Sequence, residues 1–371
     1  MAMYIVKPWY RKKDDAIYGA EWAGGSDPSW VRTDAAVGFA DPNPYYAGMS
    51  TTPSSPFDNI MPWAGMRRVT DANAGELVEI PKFYYKWTRD GAKMKLQISM
   101  EKFSGFLTSP AHADRGDGVG ERDYVYVGRY HCASDYKSKT GYTPISNMGR
   151  ATARANIHNL GGNIWQNDYA LFWTIRMLYL VEFANWNVQG VIGYGDGNGY
   201  SKQATGTSDT MPYHTGVSVS SRTTYGVGTQ YRYIEDMWGN CYDWIDGIYF
   251  NGASAYAINN PSNFSDNANG TYIGNRPTSS EGWLTSFTNP SSISGYEYAL
   301  IPATLGTASN SGIKDYYHYN STGATLRNGG AWGHLSEDGL FYFGTYYSAS
   351  ETSQASIGTR LMVLPPSRLS A

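Results

Sequence analysis

Cysteine is scarce in this chain of 371 residues, where Cys132 and Cys241 are the only two. Two thiols cannot build a disulfide framework or a four-thiolate metal site, although they leave one pairing open. Long apolar runs are missing as well. The most apolar stretch, "YALFWTIRMLYLVEFANW", is interrupted by Arg176 and Glu182 and falls short of a membrane span. The start, "MAMYIVKPWYRKKDD", has no apolar core ahead of a small-residue cleavage site, so it does not read as a secretory signal and synthesis in the cytoplasm is expected. Charge bias is absent too. With 29 Lys and Arg against 32 Asp and Glu, the net charge of −3 gives no global pull towards nucleic acid or an anionic membrane.

Aromatics and glycine are plentiful. Aromatic residues make up 15% of the chain, with 32 tyrosines and 12 tryptophans beside 42 glycines, a pairing that favours strands and turns over helical bundles. Tyrosine in such excess suits either a β core or a recognition surface, because its ring gives rigid contact area and its hydroxyl tolerates partial wetting.

Residues 1–75 carry turn signals every few positions and read as an irregular, aromatic-studded attachment segment. Two strands around Asp90-Gly91 form a hairpin, and "DYVYVGRYHCAS" gives a further strand in which Tyr124, Tyr126 and Gly128 alternate with Val125, Val127 and Arg129. Two helices follow. "NMGRATARANIHNLG" starts after Ser146-Asn147 and stops at Gly161-Gly162, and the second, "QNDYALFWTIRMLYLVEFANWN", has an apolar arc wide enough to be covered on more than one side. Glu182 lies within that arc and is expected to cap the backbone or pair with an arginine such as Arg176. Beyond it come a glycine-rich insertion, a strand, a Gly239-Asn240 turn, a second strand, polar surface excursions over 260–294, and closing strands over 325–363. Helices early and strands late give an α+β fold.

Few motifs suggest catalysis. "GYGDGNGY" lacks the strand-to-helix context of a phosphate loop, and the six histidines are scattered with no paired metal-binding spacing. Glu235, Asp236, Asp243 and Asp246 in and beyond "EDMWGNCYDW" are oxygen donors open to calcium, or turn-holding carboxylates around packed Trp238 and Trp244. Between Leu340 and Tyr347, alternation places Phe341, Phe343, Thr345 and Tyr347 on one side and Leu340, Tyr342, Gly344 and Tyr346 on the other. Both sides are aromatic. One is core, and the other needs a second packed layer or a partner.

"IEDMWGNCYDW", "LRNGGAWG" and "IGTRLMV" occur in the order of the closing signatures of the C-type-lectin fold branch that includes formylglycine-generating enzymes and the variable proteins of diversity-generating retroelements. The chain resembles that branch over about residues 75–365, and "IPKFYYKW", "SPAH" and "YVYVGRY" look like parts of phage tail-associated proteins that carry the domain. The resemblance implies a lectin-like fold with two helices, many short strands and long loop insertions, in which residues 76–371 form a ligand-display domain with a variable region at 326–360. Display positions would be Trp332, His334, Ser336, Asp338, Phe341, Phe343, Thr345, Tyr346 and Tyr347. Gly239, Asn240, Trp244, Arg327, Gly329, Gly330, Gly358 and Arg360 would be framework.

Departures narrow what is carried over. No cysteine follows Cys241, which removes the cysteine pair of the formylglycine-generating oxidase, and the Glu-Pro-Asn and Gln-Pro-Asp triplets of calcium-dependent sugar binding are absent. The implied role is a non-catalytic phage or prophage tail-tip protein, made in the bacterial cytoplasm and carried on the virion tail, that recognises a host surface protein or glycan. Its other partners would be tail proteins or further copies of itself, with no nucleic acid and no membrane insertion. No cofactor and no metal site is expected, with a structural calcium left open. A structural baseplate component and an enzyme degrading surface glycans are the alternatives.

Overall fold

The computed structural model describes residues 16–197, 199, 201–219 and 221–369, and the signal-peptide reading of the first residues lies outside them. The described residues form an α+β fold with few helices and many short strands grouped in five sheets. Among them no helix is long and apolar enough to cross a membrane. The helices are Arg150–His158, Tyr169–Phe183 and a short third, Val188–Val191.

The helix Tyr169–Phe183 organises the core. Asp168 Oδ1 accepts from the Leu171 amide at 2.8 Å and caps its start, while Ala184 turns left-handed at φ 49° and ends it. Every residue of the helix is buried, as an element apolar all round should be. One side packs on a five-stranded sheet through Ile17–Trp22 and Lys93–Ser99. The other receives Phe343, 6.4 Å from Tyr169 and from Phe172, and Phe341, 5.9 Å from Tyr179.

Its two charged residues have different partners. Glu182 pairs with Arg232 and accepts from the hydroxyls of Ser55 at 2.7 Å and Tyr231 at 3.0 Å. The expected partner Arg176 serves the sheet instead, donating to the Leu340 carbonyl at 2.6 Å and to Asn328 Oδ1. Six positions along a helix separate two side chains by about 120°, so the pair faces different walls.

The hairpin at Asp90-Gly91 is present, with Tyr84–Asp90 antiparallel to Lys93–Ser99. Residues 16–75 are no separate irregular segment. Ile17–Trp22 lies between two strands of the first sheet, Arg67–Asp71 edges another, and Tyr18, Trp22, Trp30, Phe57 and Trp63 are buried in the main core. Aromatics that size supply the apolar area that their turn-rich setting conceals in sequence. The polar stretch 260–294 likewise contributes Thr271–Asn275 and Gly282–Phe287, the latter inserted into a seven-stranded sheet through buried Leu284 and Phe287.

That sheet runs in the order Pro302–Gly306, Gly282–Phe287, Tyr316–Tyr319, Gly339–Thr345, Leu326–Gly329, Tyr242–Ile245, Ile357–Gly358. Gly339–Thr345 is buried along its whole length. Its alternation is as the sequence indicated, but both sides are covered: Phe341 and Phe343 face the long helix, while Tyr342 joins a second cluster with Tyr242, Trp244, Ala331 and Ile357. Phe341, Phe343 and Thr345 are therefore core residues and not display positions. Phe343→Ala should lower the unfolding free energy by about 3–5 kcal/mol in urea titration, whereas Tyr346→Ala, at a position 38% exposed, should cost under about 1 kcal/mol.

Candidate recognition surface

The closing motifs meet around Arg360. Its guanidinium is buried and donates to five acceptors: the carbonyls of Gly128 (2.9 Å), Arg129 (2.9 Å), Glu235 (2.8 Å) and Asp236 (3.1 Å), and Asp243 Oδ2 (3.1 Å). A planar fork can satisfy several loops at once where an ammonium cannot. Trp238 and Trp244 are packed inside and donate to the carbonyls of Gly193 at 2.8 Å and Met148 at 3.0 Å. Asn240 bonds the Gln203 backbone and Asp236. Gly329 sits at φ 94° with the Met237 carbonyl 2.6 Å from where a Cβ would be, so the motif glycine is required by both conformation and space. Gly358 pairs in parallel with Asp243.

The four carboxylates open to calcium are each committed elsewhere. Glu235 accepts from Gly206 and Ser208, Asp236 from Thr229 and Asn240, Asp243 from Arg360, and Asp246 from Arg154 and Gly247. Both cysteines are buried free thiols.

On the outer face of the seven-stranded sheet, aromatic rings form a continuous chain. Trp283 meets Tyr316 edge-on at 5.6 Å, Tyr316 meets His318 at 4.7 Å, and His318 contacts His334 and Tyr342, each at 5.7 Å. Tyr242 continues it, 5.1 Å from Tyr342 and 5.2 Å from His334. Arg327 is buried within this layer, its guanidinium 4.1 Å from the Tyr242 ring centre and 4.7 Å from that of Tyr347, in a cation–π stack. Gly344 beneath it leaves room: a Cβ there would come within 2.8 Å of the arginine side chain.

Residues 331–338 fold over one end of this face. Trp332 and His334 are half-buried and Ser336 is exposed, as display positions would be, and Tyr346 and Tyr347 border the same layer. Asp338 differs. It is buried and its Oδ1 accepts from the Ala331 amide at 3.2 Å, so it closes the loop and faces no solvent. Its neighbour Glu337 is half-buried with Oε2 3.1 Å from His318 Nε2 and 3.8 Å from His334 Nδ1. The hydrogen bond from His318, with the His334 ring close by, holds the Glu337 carboxyl down at about 2.

Trp283, Tyr316, His318 and Tyr242 were not singled out from sequence as members of this face. "YYHY" at 316–319 does alternate, but which strands would lie beside it is a matter of topology that local spacing does not carry. A separate polar cleft of about 630 Å³ is lined by Arg115, Asn259, Asn260, Asn263, Asn269 and Tyr296, among others; it offers amide and hydroxyl groups and no carboxylate.

Within the glycine-rich insertion, Asp196 is buried with neither carboxylate oxygen hydrogen-bonded among the described residues, and burial pushes its carboxyl up to about 6. No family model matches the chain, and a search of the curated proteins finds no match.

Two outcomes follow from these side chains. Arg360→Lys should lose about 3–5 kcal/mol of stability in chemical denaturation, because one ammonium leaves several buried acceptors unpaired. For Asp196 the raised carboxyl value favours the neutral form in the fold, so its contribution is present below about pH 4 and lost as pH rises through about 6. Asp196→Asn should therefore melt about 2 °C or more above the parent at pH 8 and no higher at pH 4, by scanning calorimetry.

Proposed function

We propose that this protein is a non-catalytic recognition protein with a C-type-lectin-like display domain, carried on the tail of a phage or prophage, and that it binds a host surface protein or glycan. The observation that carries this is the continuous aromatic layer across neighbouring strands, whose half-buried members Trp283, Tyr316, Trp332 and Tyr347 reach solvent beside the polar groups of His334, Ser336 and Glu337. Rigid rings with adjacent hydrogen-bonding groups are the usual anchors of binding surfaces. Support also comes from the framework motifs, since Gly239, Asn240, Trp244, Arg327, Gly329 and Arg360 all fix the backing of this layer. The display set contracts to Trp332, His334, Ser336, Tyr346 and Tyr347. Modest single-site affinity would be multiplied by repetition on a tail.

Adsorption tests it. Purified protein, labelled at its N-terminus, is titrated onto host cells and onto an array of surface glycans, alongside Trp332→Ala and Ser336→Arg. Each variant should bind at least about 10-fold more weakly, with Ser336→Arg melting as the parent does and Trp332→Ala still folded. Parental binding by both variants would refute the assignment of this surface. Virions carrying them that fail to assemble would favour the structural baseplate role.

A further inference from the structure

Among the described residues, one group of histidine and carboxylate side chains is arranged to hold a metal: His318, His334 and Glu337, with one ligand atom from each within 4.8 Å of the others. We infer that these three residues bind a single divalent transition-metal ion of the zinc type, with Glu281 as a positioning residue for His318. The inference shares His334 and Glu337 with the proposed recognition surface but is tested on the ion alone, so it can fail without that reading failing.

The donors come from two elements. His318 lies on the strand Tyr316–Tyr319, while His334 precedes and Glu337 ends a single 3₁₀ turn, Leu335–Glu337, in which positions three apart are nearly eclipsed. That turn aims both side chains at His318. The separations from Glu337 Oε2 are 3.1 Å to His318 Nε2 and 3.8 Å to His334 Nδ1. Zinc bonds of about 2.0–2.1 Å place tetrahedral ligand atoms about 3.3 Å apart. Closing the remaining gap requires only rotation of side chains that are partly exposed.

The second layer points the same way. His318 Nδ1 lies 3.4 Å from Glu281 Oε1, and that carboxylate is itself fixed by the Tyr319 amide at 2.8 Å. With zinc in place of the proton that His318 Nε2 shares with Glu337, the Glu281 carboxylate would keep the remaining proton on Nδ1, which is the usual outer arrangement of a metal-binding histidine. Two imidazoles and one carboxylate suit zinc and its neighbours, whereas calcium and magnesium take oxygen donors. Three protein ligands on an accessible rim leave a fourth position open to solvent or to an oxygen of a bound molecule.

The other histidines are occupied differently. His112 is buried between Ser109 and the Ile80 carbonyl, His131 faces the Cys241 carbonyl, His214 pairs with Asp58, and His158 stacks on Trp165 at 3.9 Å. His158 is accordingly the control.

The test is calorimetric titration of tag-free, EDTA-treated and dialysed full-length chain with ZnCl2, and in parallel with CaCl2 and MgCl2. One zinc per chain is expected, with no comparable heat from calcium or magnesium. His318→Ala and His334→Ala should each weaken zinc at least about 100-fold, Glu281→Gln about 10-fold, and His158→Asn not at all. Circular dichroism confirms that each variant is folded, and His334→Ala on the loop decides the matter should His318→Ala not fold. Zinc affinity unchanged in folded His334→Ala, tighter binding of calcium than of zinc, or no zinc binding by the folded parent would each overturn the inference.

Discussion

A single buried guanidinium, that of Arg360, is the constraint on which the closing half of the chain depends. Five acceptors converge on it, from the strand end at Gly128-Arg129, from Glu235-Asp236 and from Asp243. Removing that cation would leave buried carbonyls and a carboxylate unpaired, at a cost of about 1–3 kcal/mol for each group. The adjoining residues Leu361–Val363 pair with Tyr124–Gly128, so the end of the chain is tied to an early strand at the same point. Position of the later loops is thus set from beneath, before any surface residue is considered.

The seven-stranded sheet then divides its labour between faces. The inner face, through Phe341, Phe343 and Leu284, presses on a helix that has no exposed side. The outer face carries Tyr242, Tyr342 and Arg327 as a thin aromatic and cationic layer, with Trp332, Tyr316 and Tyr347 only partly covered. A surface built on such backing loses little conformational freedom when it meets a partner, which is the main cost of association for flexible loops.

Much of this was legible in the chain. Asp90-Gly91 declared its hairpin, and the apolar run from Tyr169 declared a helix covered on more than one side, which the structure covers on every side. Periodicity also separated Phe341 and Phe343 from Tyr342, though it put Leu340, which packs in the main core, on the Tyr342 side. What it could not show was how many layers lie above each face, because that depends on strands remote in sequence such as Tyr316–Tyr319 and Gly282–Phe287. For the same reason Phe343 read as a display residue and Tyr316 went unnoticed. The partner of Glu182 was missed because Arg232 is remote in sequence, 50 positions on. The grouping of His318 with His334 and Glu337 was likewise invisible, since one ligand comes from a strand and two from a turn.

Asp338 has a consequence for the shape of this rim. Its buried carboxylate clasps the Ala331 amide, fastening the two ends of a short loop to each other beneath the surface. Side chains between those ends are thereby held at the rim, with Trp332 packed on the aromatic layer and His334 and Glu337 turned towards His318. A change at exposed Ser336 should therefore leave the clasp and the buried arginine below it undisturbed.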